Sequence, residues 1–316
     1  MAKHHIPILI TLMAAAVAEA GVPGTEKICI TSDGKRQPVI FDAATEKIVY
    51  PSGTCGPDDS GEIFSGDNLY MVCIGSGNSL EEEVKTCTRV SRATVERYPT
   101  NDERGCKGYR TGLKIPATNE SDAFFHTIFE VCWDSTDDHP RWVKNRLNPR
   151  VATDHDDLVD TAIRARFRFT PQIFDSGKGM YNPRRYFSVA SQRKERLLVE
   201  GEGCTDFYSR GHLAPAGDFF LAVERWATFS LENAVPQWQT HNNGEWKEIE
   251  DRARRLKNAF EAETGPIFYQ GSYRVYLDPD RQRLPVPDAL YKKVYDEGGN
   301  VLMYEESEVV STCRGG

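Results

Sequence analysis

The sequence predicts an α+β protein, and three observations predict it. Short strand-type runs, broken by Gly, Ser, Thr and Asp turn clusters, fill residues 21–120. Longer strand-like runs follow from Phe124 onward. One amphipathic helix then lies between two of them, with apolar residues recurring at steps of three and four. Alternation at a period of two marks a strand and recurrence near 3.6 marks a helix, so the two textures separate.

The N-terminus reads as a secretory signal over residues 1–20. Lys3 with His4 and His5 makes a weak basic start, Ile6–Ala18 is a 13-residue apolar run, and Ala18-Glu19-Ala20 supplies small residues for cleavage. A membrane-spanning helix needs about 20 apolar residues, so an N-terminal anchor is the weaker alternative. No later segment is apolar enough to span, so after cleavage the expectation is a secreted, extracellular chain with no membrane partner.

Residues 21–120 hold five of the eight cysteines and strand-type runs such as KICI, KIVY and LYMVCIG. They read as a small, disulfide-stapled, β-rich module preceding a domain over residues 121–316. An even cysteine count behind a signal argues for disulfides in an oxidising compartment. No CxxC spacing occurs, which argues against a zinc ribbon or a redox motif. The pairing stays open. Asn119 in NES fits an N-glycosylation acceptor. Glu81–Lys85 reads as an exposed face rather than a metal site.

The net charge of −8 argues against a polyanionic partner for the chain as a whole. Locally the balance reverses. Between Pro140 and Arg225 there are 15 Lys/Arg against 11 Asp/Glu, including Arg184, Arg185, Arg193, Lys194 and Arg196. Such a surface can attract phosphate backbones.

In the second domain, FFHTIFEVCWD (Phe124–Asp134) reads as a strand. IRARFRFTP (Ile163–Pro171) alternates Arg with Ala or Phe, as a half-exposed strand would. Asp154–Asp160 clusters carboxylates around His155 and reads as a polar loop leading into a helix rather than a metal site. The amphipathic helix is NNGEWKEIEDRARRLKNAFEAETGP, with Trp246, Ile249, Ala253, Leu256 and Phe260 on one stripe. Asn242 or Asn243 is expected to cap it, and Gly265-Pro266 to stop it. Asn242, Glu250 and Arg254 then fall toward one side. GPIFYQG and VPDALYKKVYD read as the strands that follow.

Hydrolysis of a phosphodiester needs a base for water, a divalent metal for developing charge, and groups that hold the phosphate. YSRGHLAPAGDFF (Tyr208–Phe220) supplies Arg210 and His212, and the helix supplies Asn242, Glu250 and Arg254. Singly, each has an ordinary reading: a core histidine, a helix cap, a surface ion pair. Together they form an ordered pattern: SRGH (Ser209–His212), NAVPQ (Asn233–Gln237), then Asn242, Glu250 after seven residues and Arg254 after three more.

This pattern resembles the DNA/RNA non-specific endonucleases, the ββα-metal nucleases that include endonuclease G, whose signature runs D-R-G-H, N-x-x-P-Q and N-x7-E-x3-R. Weaker similarity extends from about Phe125 to the YKKVYD stretch. The resemblance implies a central antiparallel sheet flanked by helices around a ββα-metal active site. It implies Mg²⁺, with Mn²⁺ able to substitute, and DNA and RNA as substrates cut to 5′-phosphate products. His212 matches the general base, Asn242 the metal's protein ligand, Glu250 a residue orienting the metal's waters, and Asn233 a supporting asparagine. Arg210 and Arg254 match phosphate-facing arginines, and Arg184 and Arg185 are further candidates for substrate contact.

Two positions depart from the pattern. Ser209 stands where the family more often has Asp, as in secreted arthropod-type members, and Phe229 stands where some members carry asparagine. The chain also stops soon after YKKVYD, so an incomplete last sheet and an unpartnered Cys313 are expected. The rival readings are a catalytically silent nucleic-acid-binding protein on the same fold and a secreted disulfide-rich interaction protein.

Overall fold

The computed structural model describes strand backbones between residues 25 and 90 and most of residues 93–313, leaving out 100–104, 116–123, 148–165 and 174–182 among others. The signal segment, Asn119, the Asp154–Asp160 cluster, the side chain of Arg184 and the side chains of Cys29, Cys55, Cys73 and Cys87 lie outside the described residues.

The chain divides into two compact units, residues 1–92 with 113–126 and residues 93–112 with 127–316. The first contains β1 (Thr25–Ser32), β2 (Lys35–Asp42), β3 (Lys47–Val49), β4 (Ile63–Gly66), β5 (Leu69–Val72) and β6 (Arg89–Val90). Four of these form a sheet in the order β3-β2-β1-β6, and β4 pairs with β5. The strand-type runs read from the sequence are therefore strands.

The larger unit is organised by a seven-stranded sheet. Its strands are β7 (Thr94–Arg97), β8 (Lys107–Ile115), β9 (Phe124–Asp134), β10 (His139–Arg146), β15 (Glu261–Ile267), β18 (Ala289–Tyr295) and β19 (Val301–Glu308). Their order is β19-β18-β15-β10-β9-β8-β7. The registers given by β7/β8, β9/β10, β10/β15, β15/β18 and β18/β19 are all antiparallel. The sheet thus includes two strands N-terminal of residue 120. A disulfide joins Cys106 to Cys132 beside it.

Between β10 and β15 come α1 (Val189–Lys194), β11 (Val199–Gly201), β12 (Cys204–Asp206), β13 (Tyr208–His212), α2 (Ala222–Thr228), β14 (Ala234–Trp238), α3 (Gln239–Asn243) and α4 (Glu245–Arg255). Among the described residues β13 pairs with β14 alone, and β14 runs straight into α3 and α4. Two antiparallel strands and a helix make the ββα unit. The short strands β16 (Tyr276–Asp278) and β17 (Arg283–Pro285) pair with each other before β18.

The helix bears its predicted stripe over a shorter span. Trp246, Ile249 and Ala253 are fully buried, and burying a side chain such as Ile249 stabilises by about 1.5–3 kcal/mol. Ala253 packs with Leu147, Ala259, Ala262 and Val294, and Leu256 covers the edge. The expected start and stop are both corrected. Gly244, with ψ −111, breaks the helix after Asn243, so Asn242 closes a short turn instead of capping the main helix. At the other end Leu256 turns extended and Asn258 adopts a left-handed φ of 63°. Gly265 and Pro266 consequently lie inside β15, paired with Tyr291 and Leu290 of β18.

Two further expectations are overturned. In the Ile163–Pro171 run, the described residues make only one bridge, Arg168 to Ser230, rather than a strand. β19 forms one edge of the sheet, and Cys313, expected to be unpartnered, is disulfide-bonded to Cys204. Among the described residues, no helix is long and apolar enough to cross a membrane.

Candidate active site

Strand alternation sorts the residues of β13 onto two faces. Arg210 and His212 share one face, and Ser209 and Gly211 share the other. Gly211 is required on its side: a Cβ there would lie 1.9 Å from Gln237 Oε1. His212 sits opposite Ala234 and Arg210 opposite Pro236 in the β13/β14 register.

His212 lies between two aromatic rings, Phe167 at 4.9 Å and Phe229 edge-on at 4.8 Å. Its Nε2 is buried and has no hydrogen-bond partner among the described residues. Burial, reinforced by the nearby Arg210 guanidinium, pulls its pKa down to about 4. Arg210 rests over Phe167 at 4.9 Å and Phe187 at 5.8 Å. No carboxylate pairs with it among the described residues. A half-buried cation beside an imidazole whose buried Nε2 has no partner among the described residues is an arrangement that folding alone does not favour.

The segment after His212 is fixed by Asn233, which is fully buried. Its Oδ1 accepts from Ala214 N at 2.8 Å, and its Nδ2 donates to Ala214 O at 2.8 Å and Thr228 O at 3.0 Å. The amide is fully engaged with backbone, so Asn233 is a positioning residue.

Asn242 is half-buried near the end of α3. Its Nδ2 donates to Ser209 Oγ at 3.2 Å, and that hydroxyl donates onward to Gln237 O at 3.0 Å. A serine can serve a carbonyl and an amide at once, which an ionised acid at this position could not. The arrangement leaves Asn242 Oδ1 unengaged among the described residues.

Glu250 and Arg254 project from α4 beside a polar hub centred on Asp218, the last charged residue of the Tyr208–Phe220 stretch. Asp218 accepts from Arg254 Nη1 at 3.0 Å and Asn145 Nδ2 at 3.1 Å, with Lys292 Nζ at 3.9 Å. Alternation along β18 turns Lys292 inward, fully buried, where it donates to Thr264 Oγ1 at 3.2 Å. Arg254 also binds Asp251. Two carboxylates, Asp218 and Asp251, thus hold its guanidinium. Glu250 has no hydrogen-bond partner among the described residues, and burial pushes its pKa up to about 7 against the pull of Lys292. Asp218 and Lys292 were missed by sequence reasoning, although Asp218 stands six residues after His212.

Arg185 is exposed on the Pro183–Phe187 turn, with its guanidinium over the Tyr186 ring at 4.6 Å. That turn also carries Phe187, on which Arg210 rests, so the basic segment borders the β13 face. Gln192 of α1 ties it down, donating to Tyr208 O at 2.7 Å and accepting from Tyr208 N at 2.8 Å. No trio of His, Cys, Asp or Glu that could hold a metal occurs among the described residues.

A salivary endonuclease of Lutzomyia longipalpis is 27% identical over 293 residues, covering 83% of this chain and 66% of its own length. The mitochondrial nuclease EXOG of Xenopus laevis is 37% identical over 193 residues, covering 58% of this chain and 47% of its own. Salivary protein Tsal1 of Glossina morsitans morsitans is 22% identical over 260 residues, 76% of this chain and 60% of that protein. The chain therefore spans from about half to just under two thirds of these relatives. The profile described as DNA/RNA non-specific endonuclease matches residues 108–311, more than half of the 316-residue chain. That span contains every residue of the SRGH, NAVPQ and Asn–Glu–Arg pattern, and the chain belongs to the DNA/RNA non-specific endonuclease family.

Proposed function

We propose that this chain is a secreted, divalent-cation-dependent endonuclease that hydrolyses DNA and RNA with little sequence preference, leaving 5′-phosphate and 3′-hydroxyl ends. The observation that carries this reading is that, among the described residues, His212 Nε2 has no hydrogen-bond partner and Arg210, on the same strand face, rests on Phe167 and Phe187 without a carboxylate. The salivary relatives and the apolar N-terminal run support secretion.

The donor set fits a hard, heavily hydrated cation. Asn242 Oδ1, unengaged among the described residues, is a neutral oxygen donor, Glu250 is a carboxylate carried on the next helix, and no softer ligand cluster competes among the described residues. Mg²⁺ prefers oxygen and keeps most of its waters, and Mn²⁺ accepts the same donors. Asn242 would hold the ion and Glu250 its water shell. When bound, the cation supplies positive charge to the phosphate and its leaving oxygen.

The protein's own groups do the rest. His212 is neutral at physiological pH because its pKa lies at about 4, so Nε2 is ready to take a proton from the attacking water. Arg210 holds a phosphate oxygen by charge-assisted hydrogen bonds. Asn233 keeps the Leu213–Ala214 backbone, and with it His212, in place. Arg184 and Arg185 extend the contact along the backbone of the nucleic acid.

The test is incubation of the mature chain with plasmid DNA and with RNA in Mg²⁺, Mn²⁺ and EDTA. Cleavage of both substrates that stops in EDTA is expected. Cleavage surviving EDTA would sink the cation assignment, and tight salt-sensitive binding without cleavage would favour a silent binder.

A further inference from the structure

Helix α3 carries Asn242, yet it is five residues long and its N-cap, Trp238, makes no side-chain capping bond. Helices far shorter than about 12–15 residues do not hold themselves in water, so external contacts set where α3 sits. Asp206 provides them from β12. Its fully buried carboxylate accepts from Thr240 N at 3.2 Å and Phe207 N at 3.0 Å through Oδ1. Through Oδ2 it accepts from Thr240 Oγ1 at 2.6 Å and Ser311 Oγ at 2.5 Å. Gln239 N adds a bond to Phe207 O at 2.9 Å.

The C-terminal segment closes the knot. Thr312 N donates to Thr240 Oγ1 at 3.1 Å, Cys313 N donates to Ser311 Oγ at 3.1 Å, and Cys313 is disulfide-bonded to Cys204. Cys204 and Asp206 flank one residue of β12, so disulfide and carboxylate grip the same short strand. Residues 311–313 thus strap onto the first turn of α3, two residues before Asn242.

We propose that Asp206 and the strap Ser311–Cys313, locked by the Cys204–Cys313 disulfide, position Asn242 and so set the affinity of the site for its cation. This rests on the reading of Asn242 as the cation-holding residue. The strap residues act through α3. Removing outer partners of a metal ligand typically costs about 10–100-fold in metal affinity.

The experiment uses the full mature chain and three variants: Asp206→Asn, Ser311→Ala, and Cys204→Ser with Cys313→Ser together. Asn242→Ala is the benchmark. Mn²⁺ binding without nucleic acid is measured by calorimetry, and the half-saturating Mg²⁺ and the KM for plasmid are measured by cleavage. The strap variants should bind Mn²⁺ about tenfold or more weakly. They should need correspondingly more Mg²⁺, with KM unchanged and the rate recovered at saturating Mg²⁺. Ser311→Ala deletes one hydroxyl and keeps the test open if the disulfide variant does not fold. Wild-type Mn²⁺ affinity in the folded strap variants, with Asn242→Ala defective, overturns the inference alone. Wild-type affinity in Asn242→Ala overturns the cation assignment and the inference with it.

Discussion

Two regions of this molecule use the same residue types to opposite ends. On the β13 face, Arg210 and His212 sit against Phe167, Phe187 and Phe229, and His212 Nε2 has no hydrogen-bond partner among the described residues. Beside α4, Arg254 and Asn145 donate to Asp218, and Lys292 lies 3.9 Å from it. Buried polar groups left unsatisfied cost free energy, whereas a paired network holds a fold in one arrangement.

The largest expected effect comes from breaking the unsatisfied region. His212→Ala should lower cleavage by about 10²–10⁴-fold, the usual contribution of a general base. Thermal melting and DNA binding should barely move. Wild-type rates in this variant would refute the base assignment.

Breaking the satisfied region should do the reverse. Asp218→Ala leaves Arg254 and Lys292 without their shared carboxylate in the interior, which costs about 3–5 kcal/mol of stability. Denaturant unfolding of the purified variant checks this, and an unchanged midpoint would mean the hub is not structural. Lost activity should follow the lost fold, unlike in His212→Ala.

Proton linkage separates the regions again. A histidine whose folded pKa is depressed contributes stability that is present above the ordinary pKa of 6.5 and is lost as pH falls toward about 4. Glu250, raised from 4.5 to about 7, acts oppositely, favouring the fold at low pH and losing that advantage as pH rises through about 7. The two trends offset each other across mildly acidic pH.

Much of the site was legible because its pattern is local. The Trp246, Ile249 and Ala253 stripe, the strand carrying Arg210 and His212, and the spacing from Asn242 to Arg254 all lie within continuous segments. What escaped depends on contacts distant in sequence. Asp218 meets Arg254 across 36 residues, and Cys204 meets Cys313 across 109. The helix end was misplaced because pairing of β15 between β10 and β18 overrides the usual helix-stop meaning of Gly265-Pro266. The role of Ser209 emerged only with the hydrogen bond to Asn242, which no motif spacing encodes.

The finest distinction between the regions is the protonation of His212, and it tests the central claim directly. In the metal-free protein, NMR titration of the His212 imidazole should give a midpoint of about 4, because burial between Phe167 and Phe229 and the neighbouring Arg210 disfavour its charged form. Phe229→Asn, which replaces one aromatic wall by a polar side chain, should move that midpoint upward. A midpoint at or above the ordinary 6.5 in the unaltered protein would mean that His212 has a partner, and would contradict its assignment as a neutral base held free for water.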